Sequence, residues 1–524
     1  MKKLLALFLA LTMVLGLAAC SGSGTPAGTT APAASSTGKD TTPADPTTSG
    51  EVSHIKLGLI TLMTVPSVEA TKNVENDINK YLKETLGISN YVLDLSIISI
   101  ADFATTIPME LASGSGSDLV MMLGTMGNFV DNGYLIPLND YLDNELKPTV
   151  DKIGNILENG KIGGNVYMIP RYFGTVLDWK FIYNKALVDG KYDMSKVHDM
   201  ASLEDCLAAL KEAYPDEHFL VYADQFPSIY SYDMNVSGVG AVGGVGSSVS
   251  SAVATVGDDP TLVNFYETDA FKTAIRKAYE FRQKGYLDPE GSANTQTHDA
   301  VVMSGSSKGV IMGHSADCEG VATMFDKMNT YGAEFGAVSI GIGDLYTDTV
   351  GIGISFSCKD PKSAANFINL LYTDEFVWDT LIYGSEGQDY VWNEDHTVCS
   401  YPDGLDANSV PYNCIYSCGI IGNGFQSLPF ENSTTGSNSE YGMQLMQEAW
   451  APPLYGFTPS NTNVMNEVAA VSNVVSQYVK PLIYGDVNPD DYYPQFIEAL
   501  KAAGIDTIIA DYQTQVNDWL TAKK

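Results

Sequence analysis

HIKLGLITL (54–62), YVLDLSII (91–98) and DLVMML (118–123) are three short apolar runs whose spacing decides the fold. In the first, Ile55, Leu57 and Leu59 alternate with Lys56 and Gly58, while Ile60 and Leu62 make it apolar on both faces. That pattern is a strand buried in a sheet. Between the first two runs, Val74, Ile78, Tyr81, Leu82 and Leu86 recur at helical spacing and stop at Gly87. A helical stretch around Asp102–Ala112 precedes the third run. Strand alternating with helix predicts an α/β fold, a parallel sheet with helices on its faces. Ligands of such sheets sit beyond the carboxyl ends of the strands. Thr61–Ser67 and Gly124–Asn128 are therefore expected to face a cleft.

Downstream, Lys180–Asn184 reads as a strand following Pro170, and Ser237–Gly257 as a polar Gly/Ser/Val loop. Asp269–Lys284 reads as a helix and Gly309–Gly313 as a short strand. Ala364–Ile382 is expected as one apolar-faced helix, followed by helices at Met465–Ile483 and Tyr493–Ala503. With 45% apolar residues and 30 tyrosines, the chain has a real core to bury, and its length suits two or three domains.

The N-terminus has a different character. Lys2 and Lys3 precede an apolar run, Leu4–Leu17, and then Ala18 and Ala19, the order of a secretory signal. Leu17-Ala18-Ala19-Cys20 resembles the lipobox of bacterial lipoproteins, in which the cysteine thiol receives a diacylglycerol and becomes the mature N-terminus. Two or more acyl chains hold a protein stably on a bilayer. Residues 1–19 are thus predicted as a signal peptide, and 20–50 as a lipidated Cys20 with a flexible linker. Ser21–Gly50 is Ser, Thr, Gly, Ala and Pro with no large apolar residue, so it cannot offset the entropy of folding. Such a chain spans roughly 30 Å.

Without Lys2 and Lys3, 27 basic residues face 63 acidic ones. A surface this acidic repels phosphate backbones, which argues against a nucleic-acid partner. Six cysteines remain beyond Cys20. Export permits disulfides, and Cys399, Cys414 and Cys418 lie close enough in sequence for one bridge, with scattered buried thiols as the alternative. Cys414-x-x-x-Cys418 has no second pair beside it, so no zinc and no other metal or cofactor is expected.

Three motif matches fail on context. Gly238-Val-Gly240-Ala-Val-Gly243 fits GxGxxG but lies in a Gly-rich tract with no strand–helix frame. Gly305-Ser-Ser307-Lys-Gly309 fits GxSxG but precedes a strand instead of following one. Asp486, Asn488 and Asp490 start like a calcium loop, yet Asp491 stands where Gly is required and Ile497 where Glu is.

The mature chain resembles the family 1 extracellular solute-binding proteins, the carbohydrate-type receptors of ABC importers. The resemblance is carried by Gly114-Ser-Gly-Ser-Asp118-Leu-Val, by Gly133-Tyr-Leu-Ile-Pro137-Leu-Asn-Asp-Tyr141-Leu, and by Tyr167-Met-Ile-Pro170 with Ile182-Tyr183-Asn184-Lys185. Gly285-Tyr-Leu-Asp-Pro289 adds to it. Tyr383-Gly-Ser-Glu386-Gly-Gln-Asp-Tyr390, Gly456-Phe457 and the run Tyr478–Trp519 resemble a lipoprotein subgroup with an extended C-terminal block. One departure is that Gly313-His314-Ser315 follows Met312, where the family often has a sugar-stacking Trp.

The resemblance implies two α/β lobes in the type II periplasmic-binding-protein arrangement, a ligand cleft between them and hinge closure. Residues 51–169 with about 350–385 are expected as lobe one, and 170–349 with about 386–524 as lobe two. The three crossings then fall near Pro170, Thr349–Gly353 and Ser385. The implied function is capture of an oligosaccharide on the extracytoplasmic face of the membrane, with ABC permease subunits as partners and no catalysis. A peptide or amino-acid receptor on the same fold is the alternative, and a secreted glycoside hydrolase, which would need two carboxylates about 5–10 Å apart, is a third reading.

Sugars present apolar CH faces and rims of hydroxyls, so a site wants flat aromatics and planar hydrogen-bonders. Arg171 and Tyr172, at the first crossing, are candidates, with a surface Arg beside a core Tyr as the bland reading. Glu386 is a candidate at the third crossing, or a partner for a nearby cation. Trp450, Phe457 and Asn461 precede a helix that in the family abuts the ligand. Thr125, Asn128, His314 and Asp317 follow strand ends. Trp179 and Trp392 are weaker, because a lone Trp is more often core than site.

Overall fold

The structure, a computed structural model, describes residues 52–523 except 62–63, 125, 221–231, 235, 243–251, 290–308, 315–334, 407–408, 415–416, 418–419, 427, 429–441 and 443. The predicted signal peptide, Cys20, the linker, and Cys318 and Cys418 lie outside the described residues. The principal elements run β1 (Ser53–Thr61), α1 (Val68–Glu84), β2 (Tyr91–Ser99), α2 (Ile100–Ser113), β3 (Leu119–Leu123), α3 (Met126–Asp131), α4 (Lys147–Ile153), β4 (Ile169–Pro170) and β5 (Asp178–Asn184). They continue with α5 (Met200–Ala213), β6 (Val239–Ala241), β7 (Val253–Val256), β8 (Asp259–Asn264), α6 (Asp269–Gln283), β9 (Gly309–His314), β10 (Phe335–Ile342) and β11 (Val350–Ile354). The last five are α7 (Pro361–Thr373), α8 (Glu375–Tyr383), α9 (Met465–Ile483), α10 (Pro489–Ala502) and α11 (Ile505–Ala522).

β1 pairs in parallel with β2 from Ser53↔Tyr91 to Thr61↔Ser99, and in parallel with β3 at Leu57↔Leu119. Local chemistry sets the helix starts. Ser67 caps α1 by accepting from the Ala70 N–H at 3.1 Å, and Val74, Ile78 and Leu82 form its buried stripe. Ser99 caps α2 in the same way, and Gly114 ends it in the left-handed region at φ 66°. Because β1 lies between β2 and β3, the path through α2 steps across β1 and makes a switch point between β1 and β3.

The five-stranded sheet runs β2-β1-β3-β11-β4. β11 is antiparallel to both β3 and β4, so the sheet is mixed rather than purely parallel. The chain leaves this lobe at Pro170 and returns beside it at Val350. Between the sheets the two crossing segments stay paired: Arg171 N–H to Val350 O at 3.1 Å, Tyr346 N–H to Thr175 O at 3.3 Å and Gly343 N–H to Leu177 O at 2.8 Å. The ribbon then becomes β5 and β10, antiparallel in the sheet β9-β5-β10 of the second lobe.

Each lobe has its own core. The first takes side chains from Ile55 to Ile169 and from Ile352 to Leu428, and the second from Trp179 to Ile340 and from Leu454 to Val516. A small third cluster, Val176, Leu345 and Leu445, sits at the crossing. The segment expected to open lobe two near Ser385 packs instead into the first core through Tyr390, Cys399, Tyr412, Cys414 and Ile421. Ser385 donates its hydroxyl to Asp77 of α1 at 2.5 Å. Side chains of the C-terminal part enter the second core from Leu454 onward.

Three local expectations change. The single helix expected at Ala364–Ile382 is α7 and α8, broken at Asp374. That residue ends α7 by N–H donation to Leu370 O and caps α8 by accepting from Val377 N–H at 3.0 Å. The tract Ser237–Gly257 is not all loop, since its described ends are β6 and β7 of an antiparallel sheet β8-β7-β6. The GxGxxG match thus falls partly on a strand, which cannot cradle a phosphate as a loop would. The last predicted helix starts early, at Pro489, because Asn488 caps it by accepting from Asp490 N–H at 3.0 Å. The acids of the calcium-like stretch are engaged by arginines: Asp486 with Arg282 at 3.0 Å and Asp490 with Arg276 at 3.8 Å. Gly485 stands at φ 69°, and a Cβ there would lie 2.5 Å from Ala278 O. Only glycine lets α9 turn this close to α6.

Cys206, Cys358, Cys399 and Cys414 are free thiols. Burial pushes Cys399 and Cys414 up to about 12, so both stay protonated and unreactive.

Candidate functional site

The switch point generates one wall of a cavity. Gly124 follows β3 directly and donates its N–H to Thr349 O at 3.1 Å, tying the strand end to the returning crossing. Gly127 and Asn128, in the first turns of α3, continue this wall. The opposite wall belongs to the second lobe: Val242 after β6, Ala252 and Val253 at β7, Thr458, Pro459 and Asn461 before α9, Val468 on α9, and Ile508 and Tyr512 on α11. Together they border a recess of about 120 Å³ that is open to solvent.

The chemistry of this lining is specific. Apolar patches alternate with neutral hydrogen-bonding groups, and none of the described lining residues carries a charge. Tyr512 donates its hydroxyl to Asn461 Oδ1. Burial holds the Tyr512 hydroxyl well above its ordinary pKa, so it remains a donor throughout the physiological range. With its oxygen engaged, Asn461 keeps its amide N–H groups for another acceptor. Gln515 fixes the backbone of the same loop, accepting from Ser460 N–H and donating to Ser460 O, each at 2.9 Å. The Thr458 hydroxyl is buried in this wall with no hydrogen-bond partner.

The predicted site residues divide. Asn128 and Asn461 meet across the cavity. Arg171 lies at the crossing, but its Nε contacts Asp348 at 2.5 Å, with the guanidinium 4.6 Å over the Phe173 ring. Both partners are largely buried, so the charge is engaged within the hinge. Tyr172 donates its N–H to Gly422 O at 2.8 Å and sets its ring edge-on to Phe425, outside the cavity lining. Glu386 is exposed in the tight loop closed by its bridge to Tyr390 on the first lobe, away from the cavity.

Trp450 is half-buried and donates its indole N–H to Asp258 at 3.0 Å; it too does not line the cavity. Phe457 is a core residue, packed edge-on against Trp519 at 5.5 Å. Thr125 and Asp317 lie outside the described residues, as does the side chain of His314, whose backbone pairs with Asp178. Trp179 belongs to the second core, and Trp392 packs against the first.

Val242, Ala252 and Val253 went unread because a small-residue tract looks like a loop. Their apolar character amid Gly and Ser was the available signal. Ile508 and Tyr512 carried none, since an amphipathic helix shows one apolar face whether it meets a core or a cavity. Of the two segments expected at the cleft, Gly124–Asn128 reaches it. At the other, Thr61 is buried, and the preceding Ile60 O accepts from the Ser417 hydroxyl.

Residues 92–377 match the family described as bacterial extracellular solute-binding protein, and residues 453–521 match a domain of unknown function, DUF3502. A carbohydrate ABC transporter substrate-binding protein of Streptococcus pneumoniae is 22% identical over 454 residues, covering 85% of this chain and 87% of that one. The crystal structure of the N-glycan transport solute-binding protein NgtS from the same organism superposes with a TM-score of 0.72 at 22% identity, over 90% of this chain and 100% of that one. An HMO-binding solute-binding protein of an ABC transporter from Bifidobacterium longum infantis gives 0.59 at 14% identity, over 89% and 99%. Both have the same two-lobe fold.

Proposed function

This chain belongs to the family of bacterial extracellular solute-binding proteins, and on that premise we propose that it captures a neutral oligosaccharide between its lobes and delivers it to an ABC importer. It is a binding protein and not an enzyme. The observation that carries the choice of solute is the cavity lining: apolar surface from Val242, Val253, Val468 and Ile508, neutral hydrogen-bonders in Asn128, Thr349, Asn461 and Tyr512, and no charge among the described lining residues. A sugar offers CH faces to the former and hydroxyls to the latter. A receptor for amino acids or peptides would set charged groups against the two ends of its ligand, which this lining does not do. The relatives agree in class: NgtS has been crystallised with Man1GlcNAc and with Man5GlcNAc, and those structures superpose at a TM-score of 0.65.

The decisive experiment is a thermal-shift and calorimetric screen of the mature protein against Man1GlcNAc, Man5GlcNAc, neutral plant oligosaccharides and a dipeptide set. A bound glycan at 100 times its Kd adds about 2.7 kcal/mol to stability and raises Tm. A shift with dipeptides and none with any glycan would replace the sugar reading with the peptide one. Attachment to the outer face of the cell membrane through Cys20 belongs to the same proposal and is supported by Leu17-Ala18-Ala19-Cys20.

A further inference from the structure

The cavity runs along the first lobe from Thr349 through Gly124, Gly127 and Asn128, and stops one turn before the end of α3. The last residue of that helix is Asp131. Its carboxylate accepts three hydrogen bonds from one loop of the other lobe: from the Ser460 hydroxyl at 2.8 Å, the Asn461 backbone N–H at 3.3 Å and the Thr462 hydroxyl at 3.3 Å. The middle residue of that loop lines the cavity. The loop is already held within its own lobe by Gln515 and by Tyr512, so it acts as a rigid catch rather than a strand that follows whatever it touches. Further ties between the lobes among the described residues lie near the crossing: Asn159 Nδ2 to Tyr455 at 3.1 Å and Glu158 with Lys523 at 3.3 Å, beside the crossing residue Thr347, whose hydroxyl accepts from Gly456 N–H at 3.1 Å.

We propose that Asp131 is a latch at the cavity rim, a positioning residue that holds the lobes together before solute arrives and sets Asn461 opposite Asn128. A charged acceptor with three donors makes a stronger tie than a neutral pair. All three bonds must break together when the lobes part, because the donors sit on one rigid loop and the acceptor on one helix end. The ligand-free protein therefore populates the closed form. The apparent affinity for solute scales with that population, since only the closed form presents both walls. The inference rests on the two-lobe clamp and not on which solute is bound.

The test compares the full mature protein with Asp131→Ala and with the donor-side double variant Ser460→Ala/Thr462→Val. Three readouts are taken: ligand-free radius of gyration by small-angle scattering, hydrogen exchange at the Asn461 amide, and affinity for Man1GlcNAc. Both variants are expected to enlarge the ligand-free radius and to speed Asn461 exchange roughly tenfold, Asp131→Ala by removing all three hydrogen bonds and the donor-side variant by removing two of them. Affinity should fall roughly tenfold while Tm stays unchanged, because the groups are exposed and lie outside both cores. An unchanged radius and unchanged Asn461 exchange in Asp131→Ala would overturn the latch. So would a shift in Asp131→Ala that the donor-side variant fails to reproduce. The scattering and exchange results decide the latch even if Man1GlcNAc does not bind; failure to bind any glycan would overturn the solute proposal alone.

Discussion

Arg171 shows how a residue's partners decide its role. From its place after Pro170 it is a reasonable arm for a sugar hydroxyl. In the structure its guanidinium lies between the Asp348 carboxylate and the Phe173 ring, and Asp348 also accepts from the Val350 N–H at 3.2 Å. The pair joins the two crossing segments where the lobes pivot. Removing one partner of a buried ion pair leaves the other charge desolvated and costs about 3–5 kcal/mol. Arg171→Ala is accordingly expected to lower the denaturant midpoint clearly, whereas a purely ligand-contacting arginine would leave the ligand-free protein as stable as before. Equilibrium unfolding of the two proteins without ligand separates these roles.

At the scale of elements, α8 carries a buried liability. Burial in this helix, with Glu375 and Asp374 nearby, pushes the Asp379 carboxyl up to about 8, and its Oδ1 has no hydrogen-bond partner. In the unfolded chain an aspartate titrates near 3.9. Between about pH 4 and pH 8 the native state therefore holds a proton that the unfolded state has released. Stability contributed by this group is highest at low pH and is lost as pH rises through that window. Asp379→Asn should flatten this slope and raise Tm at pH 8 relative to the parent, with little difference near pH 4. A Tm-against-pH profile of both proteins, unchanged in shape by the substitution, would show that Asp379 is ionised in the fold.

At the scale of the whole molecule, two cores joined by a paired ribbon make a clamp. The small cluster of Val176, Leu345 and Leu445 at the crossing is separate from both cores. The proposed tether places this clamp at a membrane, where captured solute is delivered without leaving the surface. Cys20→Ser should release the protein from membranes or leave it unprocessed, as read by fractionation and by mass spectrometry of the N-terminus. Unaltered partitioning with membranes would mean that another feature anchors it.

Apolar period was legible in residues close together in the chain. The strands at 54–62, 91–98 and 118–123, the helices between them, and the cleft-facing turn Gly124–Asn128 all follow from local apolar spacing. The order of family motifs implied two lobes. Side-chain partners were not legible, because they come from distant positions: Asp348 for Arg171, Asp258 for Trp450, Trp519 for Phe457 and Asp131 for Asn461. The break at Asp374 was missed because the apolar face continues through it, and only the cap geometry shows that the backbone turns. The segment after Ser385 was misplaced for a related reason. Its apolar residues fit either core equally well by composition, and only tertiary packing assigns them to the first. The sequence by itself determined the alternation of strand and helix from 54 to 123 and the apolar residues that must be buried there; the tertiary structure alone decided which polar groups were consumed in holding the fold together and which were left for a solute, since that depends on contacts between residues far apart in the chain.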